Sequence, residues 1–156
     1  MGSNSKEIIM AGKFPTPTKW KPKNIAKYKG DSTQIVSRSS WEKSFMIWCD
    51  TNPSVIQWQS EEVVIPYMSE VDGKPHRYFC DFVITIRNNL GKIKTYLIEI
   101  KPFYQTQPPV PKANKRTYMN ECATYSVNCS KWEAATKYAN DRGWEFKIIT
   151  EHDLGK

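Results

Sequence analysis

Arg77-Tyr78-Phe79-Cys80-Asp81-Phe82-Val83-Ile84-Thr85-Ile86-Arg87, followed by Asn88-Asn89-Leu90-Gly91-Lys92 and then Ile93-Lys94-Thr95-Tyr96-Leu97-Ile98-Glu99-Ile100-Lys101, is the stretch on which the fold turns. Two runs rich in β-branched and aromatic residues flank five residues of turn chemistry, the signature of an antiparallel hairpin. Pairing the runs about that turn sets Arg87 opposite Ile93, which brings Asp81 opposite Glu99. Successive strand residues point to opposite faces. One face then carries Cys80, Phe82, Ile84, Ile86, Tyr96, Ile98 and Ile100, with Lys94 as the exception, and is expected to be the core. The other face gathers Asp81, Glu99 and Lys101. Directly opposed side chains have Cβ atoms about 5 Å apart, so two carboxylates placed there repel unless a cation neutralises them. Strings of the form E-x-K are common, however, and the same residues would equally serve as surface ion pairs worth little each.

Upstream, Ser39-Ser40-Trp41-Glu42 has the form of a capping box, and Trp41, Phe45, Trp48 and Cys49 fall on one helical stripe. A helix is expected from about Ser40 to Asp50, closed by Pro53. Val55-Ile56-Gln57-Trp58 leads to Val63-Val64-Ile65, an expected strand that turns back at Asp72-Gly73, so that three strands form a meander. Downstream, four prolines between Lys101 and Lys112 predict a loop, and a helix is expected over Thr117 to about Val127. A second capping box, Ser130-x-x-Glu133, starts a further helix carrying Trp132, Ala135 and Ala139 on one face and ending at Gly143. Trp144 to Thr150 reads as the last strand. The fold class is α/β, or α+β: a mixed central sheet flanked by helices.

The chain has 156 residues, 39% of them hydrophobic and 13% aromatic, which suits one folded core and excludes a disordered protein. No stretch approaches the length needed to span a bilayer and no secretion signal opens the chain, so a soluble, intracellular protein is expected. Residues 1–36 read as a basic arm and 37–156 as the domain. Between Lys13 and Gly30 six lysines (Lys13, Lys19, Lys21, Lys23, Lys27 and Lys29) occur with three prolines and no acidic residue, so regular structure is unexpected there. Phe14, Trp20 and Tyr28 lie among them, placed either to stack on bases or to pack onto the domain.

Lys112, Lys115 and Arg116 extend the basic surface, and the net charge of +7 favours a polyanionic partner. An ordinary solvated loop would also look like this. Cys49, Cys80, Cys122 and Cys129 form no C-x-x-C pair and read as free, mostly buried thiols. His76 and His152 lack a matching ligand set and are not expected to be catalytic. Tyr104, Gln105 and Lys131 could touch a substrate, but only their location in or near the basic region recommends them.

Glu42 in the first helix, Asp81 before a strand and Glu99-Ile100-Lys101 in the next resemble, in that order, the core of the PD-(D/E)xK nucleases. The run from Arg38 to Lys101, with Arg38-Ser39-Ser40-Trp41-Glu42, Ser60-Glu61-Glu62, Ile65-Pro66-Tyr67, Val71-Asp72-Gly73-Lys74, His76-Arg77-Tyr78-Phe79 and Leu97-Ile98-Glu99-Ile100-Lys101-Pro102, is similar to the head-completion nucleases of T-even-like phages, as are Lys131-Trp132-Glu133-Ala134-Ala135 and Trp144-Glu145-Phe146. TnsA-type transposon endonucleases share the helix glutamate and the strand motif. The resemblance implies a restriction-endonuclease-like core and an Mg²⁺-dependent endonuclease, with Mn²⁺ able to substitute.

By position, Asp81 and Glu99 become metal ligands and Lys101 the catalytic lysine. Glu42 contacts the metal or its water, although at position N3 of a capping box it would equally satisfy a free helix amide. Double-stranded DNA is the implied substrate, with phage portal or head proteins as partners and no membrane. The implied setting is the host cytoplasm during assembly, then the virion head. The other reading is a non-catalytic DNA-binding component of the head. Cys80 stands where the motif's name leads one to expect proline.

Overall fold

A computed structural model describes residues 16–155 of the chain. Lys13 and Phe14 of the basic arm lie outside them. The elements, in chain order, are β1 (Thr18–Lys19), β2 (Val36–Ser37), α1 (Ser40–Thr51), β3 (Val55–Ser60), β4 (Val64–Met68), β5 (Pro75–Phe79), β6 (Phe82–Arg87), β7 (Ile93–Ile100), α2 (Lys115–Asp141), β8 (Glu145–Ile149) and α3 (Glu151–Leu154). The main sheet has the order β3-β6-β7-β8. Its pairs are antiparallel except β7 with β8, which are parallel because α2 forms the crossover between them.

The β6–β7 register is the one the turn chemistry predicts, from Arg87 opposite Ile93 to Phe82 opposite Ile98. Asn88 holds the turn by accepting from the Leu90 and Lys92 amides at 2.9 Å each. The ladder stops one residue short of Asp81. Arg77 to Arg87 is not one strand: it breaks at Cys80-Asp81, where the chain leaves a separate β4–β5 hairpin and enters the main sheet. The expected meander is corrected accordingly, because β6 pairs with β3 and β7 while β4 pairs only with β5. Ser60 to Val63 carries the chain from β3 to β4 at the same place, through Glu61 in the left-handed region (φ 55°). Two backbone bonds tie the crossovers together, Glu61 N to Asp81 O at 3.0 Å and Cys80 N to Val63 O at 3.3 Å. A proline at position 80 would lack the second donor.

The two helices expected over 117–127 and from Ser130 are a single α2. No glycine or proline occurs between Lys115 and Asp141 to stop it, and the cap is Asn114, whose Oδ1 accepts from Thr117 N at 3.0 Å. Ser130-x-x-Glu133 sits in mid-helix, where its amides are already bonded to the preceding turn.

Both faces of the sheet are covered. Phe82, Ile84 and Ile98 pack with Trp58, Phe45, Met46, Cys49, Tyr28 and Ile35 on one side. Val83 and Leu97 pack with Ile65, Tyr78, Cys80, Ala135 and Ala139 on the other, so the face expected to be polar is buried over part of its length, and Cys80 belongs to this second cluster. Cys49 and Cys80 are buried, Cys122 is half-buried and Cys129 exposed; all four are free.

The described part of the basic arm, residues 16–36, lies against the domain and has short regular elements, including the β1–β2 pair. Its aromatic residues pack onto the core: Tyr28 and Trp20 both meet the Trp58 ring edge-on. Buried Asp50, at the end of α1, accepts from the Lys23 and Asn24 amides at 2.9 and 3.0 Å.

Candidate active site

Four carboxylates meet where β3, β5, β6, β7 and the start of α1 converge. Asp81 follows the strand break, and its Oδ2 accepts from the Ile100 amide at 2.8 Å. The side chain thus takes up the backbone donor that the ladder leaves free beyond Phe82. Glu99 is 6% exposed, with Oε1 accepting from the Tyr78 hydroxyl at 2.5 Å and Oε2 lying 3.4 Å from Lys101 Nζ. The expected alternation of β7 accordingly places Glu99 and Lys101 together.

Glu42 occupies the first turn of α1, where its amide donates to Ser39 Oγ at 3.1 Å. Its Oε1 accepts from the Arg38 amide at 3.1 Å, outside the helix, so the carboxylate both steadies the entry to α1 and faces the other acids. Glu61 forms a fork with Arg38, 2.8 Å to Nε and 3.2 Å to Nη2. The sequence offered no sign of Glu61 as a neighbour of the site. Only the left-handed turn brings it there.

The electrostatics follow from burial and crowding. Burial, then Glu99 and Glu42, push the Asp81 carboxyl well above the usual carboxylate range, against the opposing pull of the Ile100 amide and Lys101. Burial, with Glu61 and Glu99 adding, pushes Glu42 up to about 7. Both carboxyls are therefore short of positive charge. Burial and then Glu99 raise the Tyr78 hydroxyl, so it remains a donor to Glu99.

Lys131, on α2, supplies a further charge. Its ammonium lies 5.5 Å from the centre of the Tyr78 ring and 6.0 Å from that of Tyr67, and burial followed by Lys101 lowers its pKa.

Among the described residues, no three His, Cys, Asp or Glu side chains are drawn close enough to form a ready-made metal cage. Two carboxylates suffice for Mg²⁺, which keeps several of its waters and takes the remaining oxygens from substrate. The all-oxygen set of Asp81 and Glu99, with Glu42 behind, fits such an ion. A cavity of about 240 Å³ lined by Lys29, Gln57, Thr85 and Thr95 lies apart from these acids.

The basic residues divide. Lys27 donates to the Asp50 and Asn52 carbonyls at 3.2 and 2.8 Å, closing the end of α1, and Lys112 pairs with Glu121 at 2.8 Å. Lys19 reaches the Thr33 carbonyl at 3.4 Å. Lys21, Lys23, Lys29, Lys115 and Arg116 are exposed. His76 pairs with Asp72 at the tip of the β4–β5 hairpin, and His152 packs against Phe103, both outside the acid cluster. No described helix is long and apolar enough to cross a membrane.

Over residues 52–151 the chain matches the family described as TnsA-like endonuclease N terminal. It is 48% identical over 141 residues to the head completion nuclease of Enterobacteria phage T4, a match covering 87% of this chain and 91% of that protein. No solved structure matches it. The mixed sheet flanked by helices fits a restriction-endonuclease-like fold, as the sequence leads one to expect.

Proposed function

This chain belongs to the TnsA-like endonuclease family, and we infer from that membership and from its acid cluster that it is an Mg²⁺-dependent endonuclease of double-stranded DNA. The observation that carries the metal is the Asp81 carboxylate, enclosed beside Glu99 and Glu42 and short of positive charge. Asp81 and Glu99 would hold the ion, with Glu42 contacting it or its water, and Mn²⁺ would substitute. A bound ion of this kind supplies a lowered water pKa and an electrophile for the phosphoryl oxygens.

The chain's own residues complete the chemistry. Tyr78 fixes the orientation of Glu99 through its hydrogen bond. Lys101, next to Glu99, would orient the attacking water and offset charge gathering on the scissile phosphate. Hydrolysis then joins the water oxygen to phosphorus, breaks one ester P–O bond and leaves the proton on the departing oxygen. Arg38 guards the entrance to α1, neutralising Glu61. Lys19, Lys21, Lys23, Lys29, Lys115 and Arg116 would meet backbone phosphates. Lys27 and Lys112 belong to the same basic surface, although their ammonium groups already bond within the chain.

By analogy with the phage relative, the proposed role is processing of phage DNA ends during head completion and packaging, in the host cytoplasm and then the virion head, with portal or head proteins as partners. Cleavage of a supercoiled plasmid with Mg²⁺ or Mn²⁺, with and without chelator, tests the activity. Nicked and linear products are expected from the wild type with metal only. Salt-sensitive binding without cleavage in any metal would instead indicate a non-catalytic DNA-binding component of the head.

A further inference from the structure

Helix α2 approaches the sheet through small residues. Ala135 and Ala139 are fully buried in the cluster that contains Val83 and Leu97, and the helix packs close against β4, β8 and β7. One turn before Ala135, on the same face, stands Lys131. Its half-buried side chain runs over Tyr67 and Tyr78, and the second of these tyrosines is the one that holds Glu99. A lysine directed outward would have cost nothing. Here the ammonium is brought to within electrostatic reach of Lys101, Glu99 and Asp81.

Nothing in the described structure pairs with that charge directly. The ion pairs of the described residues assign Glu99 to Lys101 and Glu61 to Arg38, and Lys131 takes part in none of them. Tyrosine faces attract an ammonium only weakly compared with an anion. The ammonium groups of Lys131 and Lys101 repel each other, and the acids within their reach are those proposed to hold a metal. With these acids engaged by the ion, both ammonium groups face an anion outside the protein.

We propose that Lys131 binds a non-bridging phosphate oxygen of the DNA from the α2 side of the site, while Lys101 approaches from the β7 side. This rests on the nuclease reading for the identity of the anion. A simpler role, in which Lys131 merely packs on the tyrosines and balances the acids, predicts a loss of stability on its removal and no change in how binding depends on salt.

The test measures the affinity of the full chain for a short duplex at several salt concentrations in Ca²⁺, with the DNA recovered intact as a control. Wild type is compared with Lys131→Met, which keeps the stem over the tyrosines, Lys131→Gln, and Lys131→Arg. Each phosphate contact contributes about 0.9 to the slope of log affinity against log salt. Lys131→Met and Lys131→Gln are expected to lower that slope by about 0.9 and to weaken binding equally on unrelated sequences, while Lys131→Arg retains it. In Mg²⁺ the uncharged variants are expected to raise KM as well.

A wild-type slope in both uncharged variants, whatever their melting temperatures, overturns the proposal. If these variants fail to fold, the melting temperature and slope of Lys131→Arg decide: a folded Arg variant with a reduced slope overturns it, and an unchanged slope supports it. Loss of slope in a protein that never cuts DNA would uphold Lys131 and refute the nuclease reading. Cleavage with an unaltered slope would do the reverse.

Discussion

The Asp81 carboxylate accepts a hydrogen bond from the Ile100 amide at 2.8 Å, one residue beyond the last rung of the β6–β7 ladder. A side chain has taken over the work of a backbone carbonyl where the strand breaks. The same bond fixes the Asp81 carboxylate beside Glu99, so the sheet edge and the candidate site share one anchor.

Asp81→Asn keeps an oxygen for the Ile100 amide and removes the charge. Its fold is expected to persist, with a metal-free melting temperature at neutral pH no lower than wild type, while plasmid cleavage falls at least about 100-fold, the scale of losing a group that acts on the reacting atoms. Asp81→Ala additionally orphans the amide and should cost about 1–3 kcal/mol in urea unfolding. Cleavage by Asp81→Asn at the wild-type rate would remove Asp81 from the chemistry.

Glu61 holds a left-handed backbone (φ 55°) that costs a non-glycine residue about 1 kcal/mol. Glu61→Gly relieves that strain, whereas Glu61→Ala retains it, and both lose the exposed fork to Arg38. The Gly variant should therefore be the more stable of the two by about 1 kcal/mol in chemical denaturation. Equal stabilities would mean that the crossover can relax away from this conformation.

Asp50 is 2% exposed and satisfies two amides of the basic segment. Asp50→Ala leaves both donors unpaired, at about 1–3 kcal/mol each as an upper scale. Limited trypsin digestion of the variant should cut at Lys19, Lys23 and Lys27 before the rest of the domain, and wild type should resist at these sites. Identical digestion patterns would show that the segment is held by Trp20 and Tyr28 alone.

Burial pushes the Tyr28 hydroxyl up to about 12, with Glu62 contributing. Between its ordinary value of 10.0 and about 12 the folded chain keeps a proton that the unfolded chain has lost, so this group withdraws stability as pH rises through that window. Wild type should lose stability between pH 10 and 12 more steeply than Tyr28→Phe, measured as melting temperature against pH. Parallel curves would exclude Tyr28 as the cause.

The β6–β7 register was legible because Asn88 and Gly91 specify a turn, and a turn of known length determines every pair behind it. The helix glutamate and the E-x-K string were legible for the same local reason. The break at Cys80-Asp81 was not, since Arg77 to Arg87 holds no glycine or proline and is rich in aromatic and β-branched residues, and only the tertiary crossing beside Glu61 ends the first strand. Ser130 and Glu133 imitate a helix start because capping chemistry is recognised from residue types, while the uninterrupted α2 depends on what is missing around them. Glu61 escaped as a neighbour of the site because only a strained turn brings it there, and Lys131, singled out only for its place near the basic region, reaches the site from a distant element through Ala135 packing. Trp20 and Tyr28 could have served bases or the core, and the core holds them.

The central claim is that Asp81 and Glu99 together bind the divalent ion of a nuclease, and a crystal of the full chain soaked in Mn²⁺ tests it most directly. The predicted result is one strong anomalous peak roughly 2.0–2.3 Å from an oxygen of each carboxylate, as expected for a small hard cation, and its loss in Asp81→Asn. A fully soaked crystal with no peak between Asp81 and Glu99, or with its only peak elsewhere, would contradict the account.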